Sequence, residues 1–183
     1  MRIFLLIFFF LFQNSANASI KSEIINNFKL TENLKFNFIQ KIGKKNEKGE
    51  CTIAYPKKIF CKYDDRYNKI LVSNGKSLVI NSERTNQYYR YRLDKTPLNL
   101  ILDKNFLINK IKNTSLGEVE DKYFFFHITE KNNNINVFFS KENYDLIGWQ
   151  NTDVYQNFNI TFLSSIRKNR IISKNIFKLP IQN

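Results

Sequence analysis

Apolar residues recur along the chain in two rhythms, and the changes of rhythm mark the elements. Residues 19–33 carry Ile20, Ile24, Ile25 and Phe28 at helical spacing, with Glu23, Asn26 and Lys29 on the other side. This predicts an amphipathic helix, either a surface helix packed on a sheet or a lid or plug over a concave face. From Leu34 the period drops to two. Leu34, Phe36, Phe38, Gln40 and Ile42 fall on one face and Lys35, Asn37 and Lys41 on the other, with only Ile39 breaking the polar side. That is a half-buried strand. The glycine-bounded run 43–49 reads as a polar connection.

The stretch 69–80 is an apolar strand, an Asn74-Gly75 turn and a second apolar strand, which predicts a hairpin. A tyrosine-rich strand, 87–93, comes next. Thr96 suits a helix N-cap and Pro97 the first helical position. Leu98, Ile101 and Leu102 share one face of that short helix, which is marginal alone and must dock. Residues 105–112 fit a strand or a continuing helix equally. Tyr123 to Ile128 is apolar on both faces, so the strand is buried on both sides or offers one side as a hydrophobic binding surface. Residues 131–134 read as a turn, and 135–139 with 145–149 as a hairpin. Tyr155 to Leu163 alternates, 167–170 reads as a basic turn, and 176–180 as an edge strand or extended tail closed by Pro180. The sum is a mainly β fold with two or more short helices, built as a strongly bent antiparallel sheet or incomplete barrel.

The segments 51–55 and 59–63 flank Pro56-Lys57-Lys58 and form a further hairpin. With Pro56 at its centre, Cys51 faces Cys61, and facing Cβ atoms lie ~4.5–5.5 Å apart. A Cys51–Cys61 disulfide is expected; a pair of buried free thiols is the alternative. The compartment bears on the choice, because disulfides persist where the environment is oxidising. Met1-Arg2, the apolar run Ile3–Phe12 and Ala16-Asn17-Ala18 together read as a cleavable export signal over residues 1–18, followed by one domain over 19–183. The apolar run falls short of the ~20 residues that span a bilayer as a helix. An uncleaved anchor is the competing reading.

Charge changes the picture little. The formal net charge is +13, from 29 Lys and Arg against 16 Asp and Glu, but the basic residues are scattered. No zinc-finger spacing or RNA-binding aromatic signature accompanies them, so nucleic acid is not an expected partner. A basic balance by itself reports on solubility and non-specific attraction. Candidate chemistry is equally sparse. There is no glycine-rich phosphate loop and no nucleophile elbow. His127, the single histidine, has no acid or nucleophile beside it and reads as structural. The cysteine spacing does not suit zinc. No metal, no cofactor and no enzyme activity are expected.

Five stretches carry a resemblance: Phe36 to Gln40, Gly49 to Pro56, Lys69 to Leu78, Thr96 to Leu102, and Phe177 to Pro180. In this order and spacing, over nearly all of Ser19 to Pro180, the chain resembles the LolA family of periplasmic outer-membrane lipoprotein carriers. The resemblance implies a half-open, unclosed antiparallel β-barrel with a helical lid over a hydrophobic cavity. It implies a soluble, monomeric periplasmic chaperone for acylated lipoproteins. Such a carrier takes cargo from an inner-membrane ABC-type lipoprotein exporter and passes it to an outer-membrane lipoprotein receptor. It also implies an arginine before Pro56 that hydrogen-bonds the closed lid helices, where this chain has Tyr55.

By face alternation, the residues expected to line the cavity or its lid are Leu34, Phe36, Phe38, Ile53, Tyr55, Ile59, Leu71, Leu78, Ile80, Leu98, Ile101 and Leu102. Ordinary core is the alternative for each, because alternation shows which side is apolar and not whether it is filled. Two other functions compete: a periplasmic binding module for another lipid or amphiphile, and an exported enzyme of unknown type.

Overall fold

A computed structural model describes residues 19–131, 133–152 and 158–182. The expected export signal therefore lies outside the described residues. The chain opens on helix α1, residues 19–30. Eleven strands follow, interrupted by two helices. They are β1 (Asn33–Ile42), β2 (Lys45–Ala54), β3 (Lys58–Tyr63), β4 (Lys69–Asn74), β5 (Ser77–Ser82), β6 (Gln87–Arg92), then α2 (Leu98–Leu102) and α3 (Lys104–Asn113). The remaining strands are β7 (Gly117–Val119), β8 (Tyr123–Glu130), β9 (Asn133–Ser140), β10 (Leu146–Thr152) and β11 (Phe158–Lys168).

All eleven strands join one antiparallel sheet in the order β6-β5-β4-β3-β2-β1-β11-β10-β9-β8-β7. The two ends, β6 and β7, do not meet, so the sheet is an unclosed half-barrel. Neighbours in the sheet are neighbours in sequence except at β1–β11, which joins the two halves. There Phe38 pairs with Leu163 and Ile39 with Phe162. The inner face carries the large core, with Ile24, Phe28, Phe36, Ile53, Leu107, Phe126 and Phe139 among its members. On the outer face, Val72 and Val79 are also buried. They pair across β4 and β5, and the short 3-10 turn Lys174–Phe177 contacts β3 and β4 and buries Phe177.

Several local expectations are revised. The run 43–49 is not a connection. Gly43, at φ +56°, and Lys44 make a two-residue turn, and β1 and β2 continue as a paired ribbon out to Ile42 and Lys45. Its tip is polar because a projecting ribbon is solvated, not because the strand has ended. Of the two readings left open for 105–112 the helix is the one found: residues 104–113 are helical, capped by Asp103, whose carboxylate accepts from the Phe106 N–H. Thr96 does not cap α2; its hydroxyl donates to the Leu93 carbonyl. Arg167 and Lys168 belong to β11 rather than to a turn. The turn after β8 is narrower than 131–134, since β9 already starts at Asn133. The tail near 176–180 is a 3-10 turn and an extended run, not an added strand.

A candidate acyl-chain cavity

The β2–β3 hairpin brings Cys51 opposite Cys61, and the two form a disulfide with Cα atoms 4.1 Å apart. The bridge lies on the inner face beside Phe36, which pairs with Cys51 across β1 and β2. Together they form the floor of a cavity of about 220 Å³. Phe36, Phe38, Ile59, Leu71 and Leu78 rise from the strands. Leu98, Ile101, Thr96 and Pro97 close it from the α2 side. Trp149 forms the inner wall, edge-to-face with Phe36 at 6.4 Å. The lining is apolar except for Gln40, Thr96, Asn151, Thr161 and the polar atoms of Tyr63 and Trp149. Gln40 Nε2 donates to the Thr161 hydroxyl, so part of that polarity is internally satisfied.

Seven of the twelve residues expected from alternation line this cavity: Phe36, Phe38, Ile59, Leu71, Leu78, Leu98 and Ile101. Leu34, Ile53 and Leu102 share the inner side but are buried in the packed core. Ile80 lines a separate surface depression with Lys69 and Tyr89. Tyr55 packs edge-to-face on Phe28 at 5.6 Å. Sequence reasoning omitted Trp149, Tyr63, Thr161 and the disulfide as lining. The strand period could have found Trp149, which pairs with Val137 and so faces inward. Tyr63 follows from the same alternation that places Ile59 and Cys61.

The cover over this cavity is held by lysines. The Lys57 N–H donates to the Leu102 carbonyl at the end of α2, 2.9 Å away. Lys57 Nζ pairs with Asp103 Oδ2 at 3.2 Å. One residue on, Lys104 Nζ donates to the carbonyls of Lys29 and Thr31, at 2.9 and 2.8 Å. These bonds tie α3 to the exit of α1. Tyr55, where the family resemblance implied a latching arginine, contributes its ring and not a side-chain hydrogen bond: Lys104 Nζ stands 5.7 Å from the ring centroid. Its hydroxyl is buried without a hydrogen-bond partner among the described residues, and burial pushes its pKa well above the usual tyrosine range.

The rim beyond Tyr63 is charged. Glu47 accepts from both Lys45 and Lys69, the latter at 2.6 Å, and Lys69 Nζ stands 3.8 Å from the Tyr63 ring centroid. Burial would raise the Glu47 pKa, but the hydrogen bonds and charges of Lys45 and Lys69 outweigh it and hold the carboxylate below its ordinary range. His127 is exposed on the outer face, bonded through Nδ1 to Asn136 Oδ1 at 2.8 Å, away from the cavity. Among the described residues, no cluster of three His, Cys, Asp or Glu side chains is placed to hold a metal, and no helix is long and apolar enough to cross a membrane.

The architecture is that of an unclosed antiparallel half-barrel with an apolar void under short helices and a polar rim. The chain belongs to the LolA family: the family model described as outer membrane lipoprotein carrier protein LolA matches residues 29–180. The half-barrel is similar to a conserved protein from Thermus thermophilus, at 8% identity, 90% coverage of this chain, 94% of that chain and a TM-score of 0.54. It is also similar to MucB, at 7% identity, 92% coverage of this chain, 64% of that chain and a TM-score of 0.50. A LolA superfamily protein from Nitrosomonas europaea matches at 9% identity over 89% of this chain and 97% of that one, with a TM-score of 0.48. Identities this low concern the fold alone. No curated protein matches the chain.

Proposed function

We propose that the protein is a periplasmic chaperone that carries lipoproteins from the inner to the outer membrane, holding their acyl chains in the cavity under α2. The observation that carries this reading is the apolar void itself, in a chain of the LolA family. Cores normally pack to the density of organic crystals, so a void lined by Phe36, Phe38, Leu71, Leu78 and Trp149 is space kept for something apolar. Residues 1–18 act as the export signal and 19–183 as the carrier domain. The lining groups are hydrocarbon, aromatic or disulfide, with a few neutral polar atoms, which suits binding rather than bond-breaking.

The volume sets a condition. At about 220 Å³ the cavity is below the ~300–1,000 Å³ of ordinary ligand sites. Several acyl chains enter only if α2 swings away, breaking the Lys57 contacts to Leu102 and Asp103. Each methylene then buried contributes ~0.8 kcal/mol. About ten give ~8 kcal/mol, near micromolar affinity. That keeps a lipid from water yet lets a better acceptor remove it. The donor is an inner-membrane ABC-type exporter and the acceptor an outer-membrane lipoprotein receptor.

The test is release of newly made triacylated lipoproteins from spheroplasts by the purified protein. Lipoproteins recovered in complex with it support the reading. Intact folded protein that releases none, yet co-purifies with phospholipid or glycolipid, shifts the function to another amphiphile.

A further inference from the structure

The half-barrel has two open edges, and they differ. β7 is three residues long, and Lys141 reaches over it to Glu118. β6 is six residues, Gln87–Arg92, and pairs only with β5; the tail touches it on the outer face, where the Tyr88 hydroxyl donates to the Pro180 carbonyl, and leaves its backbone edge unpaired. Long uncovered edges invite further strands. The direction of its free groups can be fixed. The Leu93 N–H donates to the Lys76 carbonyl, in register with Tyr91↔Leu78 and Tyr89↔Ile80. Because bonded pairs alternate in an antiparallel ladder, Tyr89 and Tyr91 spend their backbone groups on β5. Tyr88, Arg90 and Arg92 turn theirs outward.

Side chains divide the same way. Tyr89 and Tyr91 stand on the inner side, each 47% exposed, and Tyr91 pairs with Leu78 of the cavity wall. Arg90 and Arg92 stand on the outer side. Arg92 is paired with Asp94, but Arg90 reaches only the Ser77 hydroxyl and has no acidic partner among the described residues. A second copy of this chain is a poor occupant. Antiparallel pairing of two β6 strands centred on Arg90, which matches their outward groups at Tyr88, Arg90 and Arg92, sets Arg90 against Arg90, and like charges directly opposite are destabilising.

We propose that the open edge of β6 accepts an extended acidic peptide as a twelfth strand, and that this peptide is the cargo polypeptide just beyond its acylated end. Acidic side chains of the peptide face Arg90 and Arg92, and apolar ones face Tyr89 and Tyr91. This assignment to cargo rests on the carrier reading. The edge is one strand spacing, ~4.8 Å, beyond the cavity wall at Leu78, so a chain anchored in the cavity meets it directly. Main-chain bonds supply sequence-tolerant affinity and the alternate side chains supply the preference, as in other strand-addition sites.

The experiment uses the full chain and a diacylated peptide of alternating Glu and Val, with its unacylated form and an alternating Lys and Val form. Residue-resolved amide hydrogen exchange is the readout. The expected result is exchange slowed about tenfold or more at Tyr88, Arg90 and Arg92, with the already bonded Tyr89 and Tyr91 unchanged. The unacylated Glu peptide at millimolar concentration gives the same protection, so the edge is tested even without acyl uptake. Arg90→Glu, an exposed substitution, weakens the Glu peptide roughly tenfold and restores binding to the Lys form. Arg90→Pro removes one outward N–H without touching the β5 ladder and cuts protection while acyl uptake persists. Uptake of the lipopeptide with the three amides exchanging as in the free protein overturns the edge proposal and leaves the carrier reading standing. Edge protection by the unacylated peptide without acyl uptake overturns the carrier reading and the assignment to cargo, leaving the edge site.

Discussion

One sheet presents two unlike interiors. Over β8–β10, α1 and α3 fill the concave face: Phe28 meets Phe139 at 5.8 Å, and Leu107, Ile111 and Phe126 are fully buried beside them. Over β1–β5 the inward residues are just as apolar, yet Phe36, Phe38, Ile59, Leu71 and Leu78 among them enclose a void. The difference lies in what covers them. α3 has ten residues and brings Leu107, Ile108 and Ile111 down onto the sheet. α2 has five and brings Ile101 and Leu102. A short helix buries too little to fill its half, and the shortfall is the cavity.

The largest test of that contrast is a pair of truncations followed by urea unfolding. Phe126→Ala in the filled half is expected to cost about 3–5 kcal/mol, the usual result where a large buried ring leaves a hole. Leu71→Ala, at a half-buried residue already facing a void, is expected to cost under about 1.5 kcal/mol, chiefly its transfer term. Equal costs would mean that the two halves are packed alike and that the void does not persist in solution.

Next in size is the disulfide. Replacing Cys51 and Cys61 together by Ala opens a loop of sequence separation 10 and is expected to cost about 2–3 kcal/mol. The bridge staples β2 to β3 under the half that no long helix compresses. Amide exchange should therefore quicken first in β2 and β3, before β8 and β9. Uniform quickening would show that the bridge supports the whole sheet rather than its hollow half.

The hollow half is also where the sequence was least legible. Strand alternation placed Phe36, Phe38, Ile59, Leu71 and Leu78 on the inner face correctly, and the hairpin centred near Pro56 put Cys51 opposite Cys61. Alternation is blind to depth, so Leu34 and Ile53 looked the same as their neighbours although helices bury them in solid core. The ribbon at 43–49 was missed because its residues are polar and carry no apolar signal, even Glu47, whose half-buried carboxylate is held by Lys45 and Lys69. The helix at 104–113 was ambiguous because Phe106, Leu107, Ile108 and Ile111 fit either period over so short a run. The lysine ties at Lys57 and Lys104 had no signature, since they use backbone carbonyls and the Asp103 carboxylate, brought together only by the fold.

A smaller effect of opposite sign comes from Tyr55. Its hydroxyl is buried beside Phe28 with no partner among the described residues, and an unsatisfied buried polar group costs ~1–3 kcal/mol. Tyr55→Phe removes the hydroxyl and keeps the ring, so stability is expected to rise by about 1 kcal/mol, measured by thermal or urea unfolding. A loss of stability would instead reveal a partner for the hydroxyl, and with it a role in holding the cover.

The smallest effect separates the halves by pH. Tyr55 packs on Phe28 of α1, away from the void, and Tyr63 lines it, and both pKa values are raised. Burial does this at Tyr55; at Tyr63 burial leads and the negative charges of Glu47 and Asp65 add to it. The unfolded chain loses these protons near the ordinary value of about 10, while the native state keeps them. Above that pH the native state binds more protons, so stability is complete below about 10 and declines as pH rises further. Tyr55→Phe and Tyr63→Phe should each flatten the decline, and each should remove one late-titrating phenol from the ultraviolet titration. An acyl ligand in the cavity should delay the Tyr63 titration further and leave that of Tyr55 where it was. A ligand that delays both equally would place its binding outside the hollow half and remove the distinction on which the cavity assignment depends.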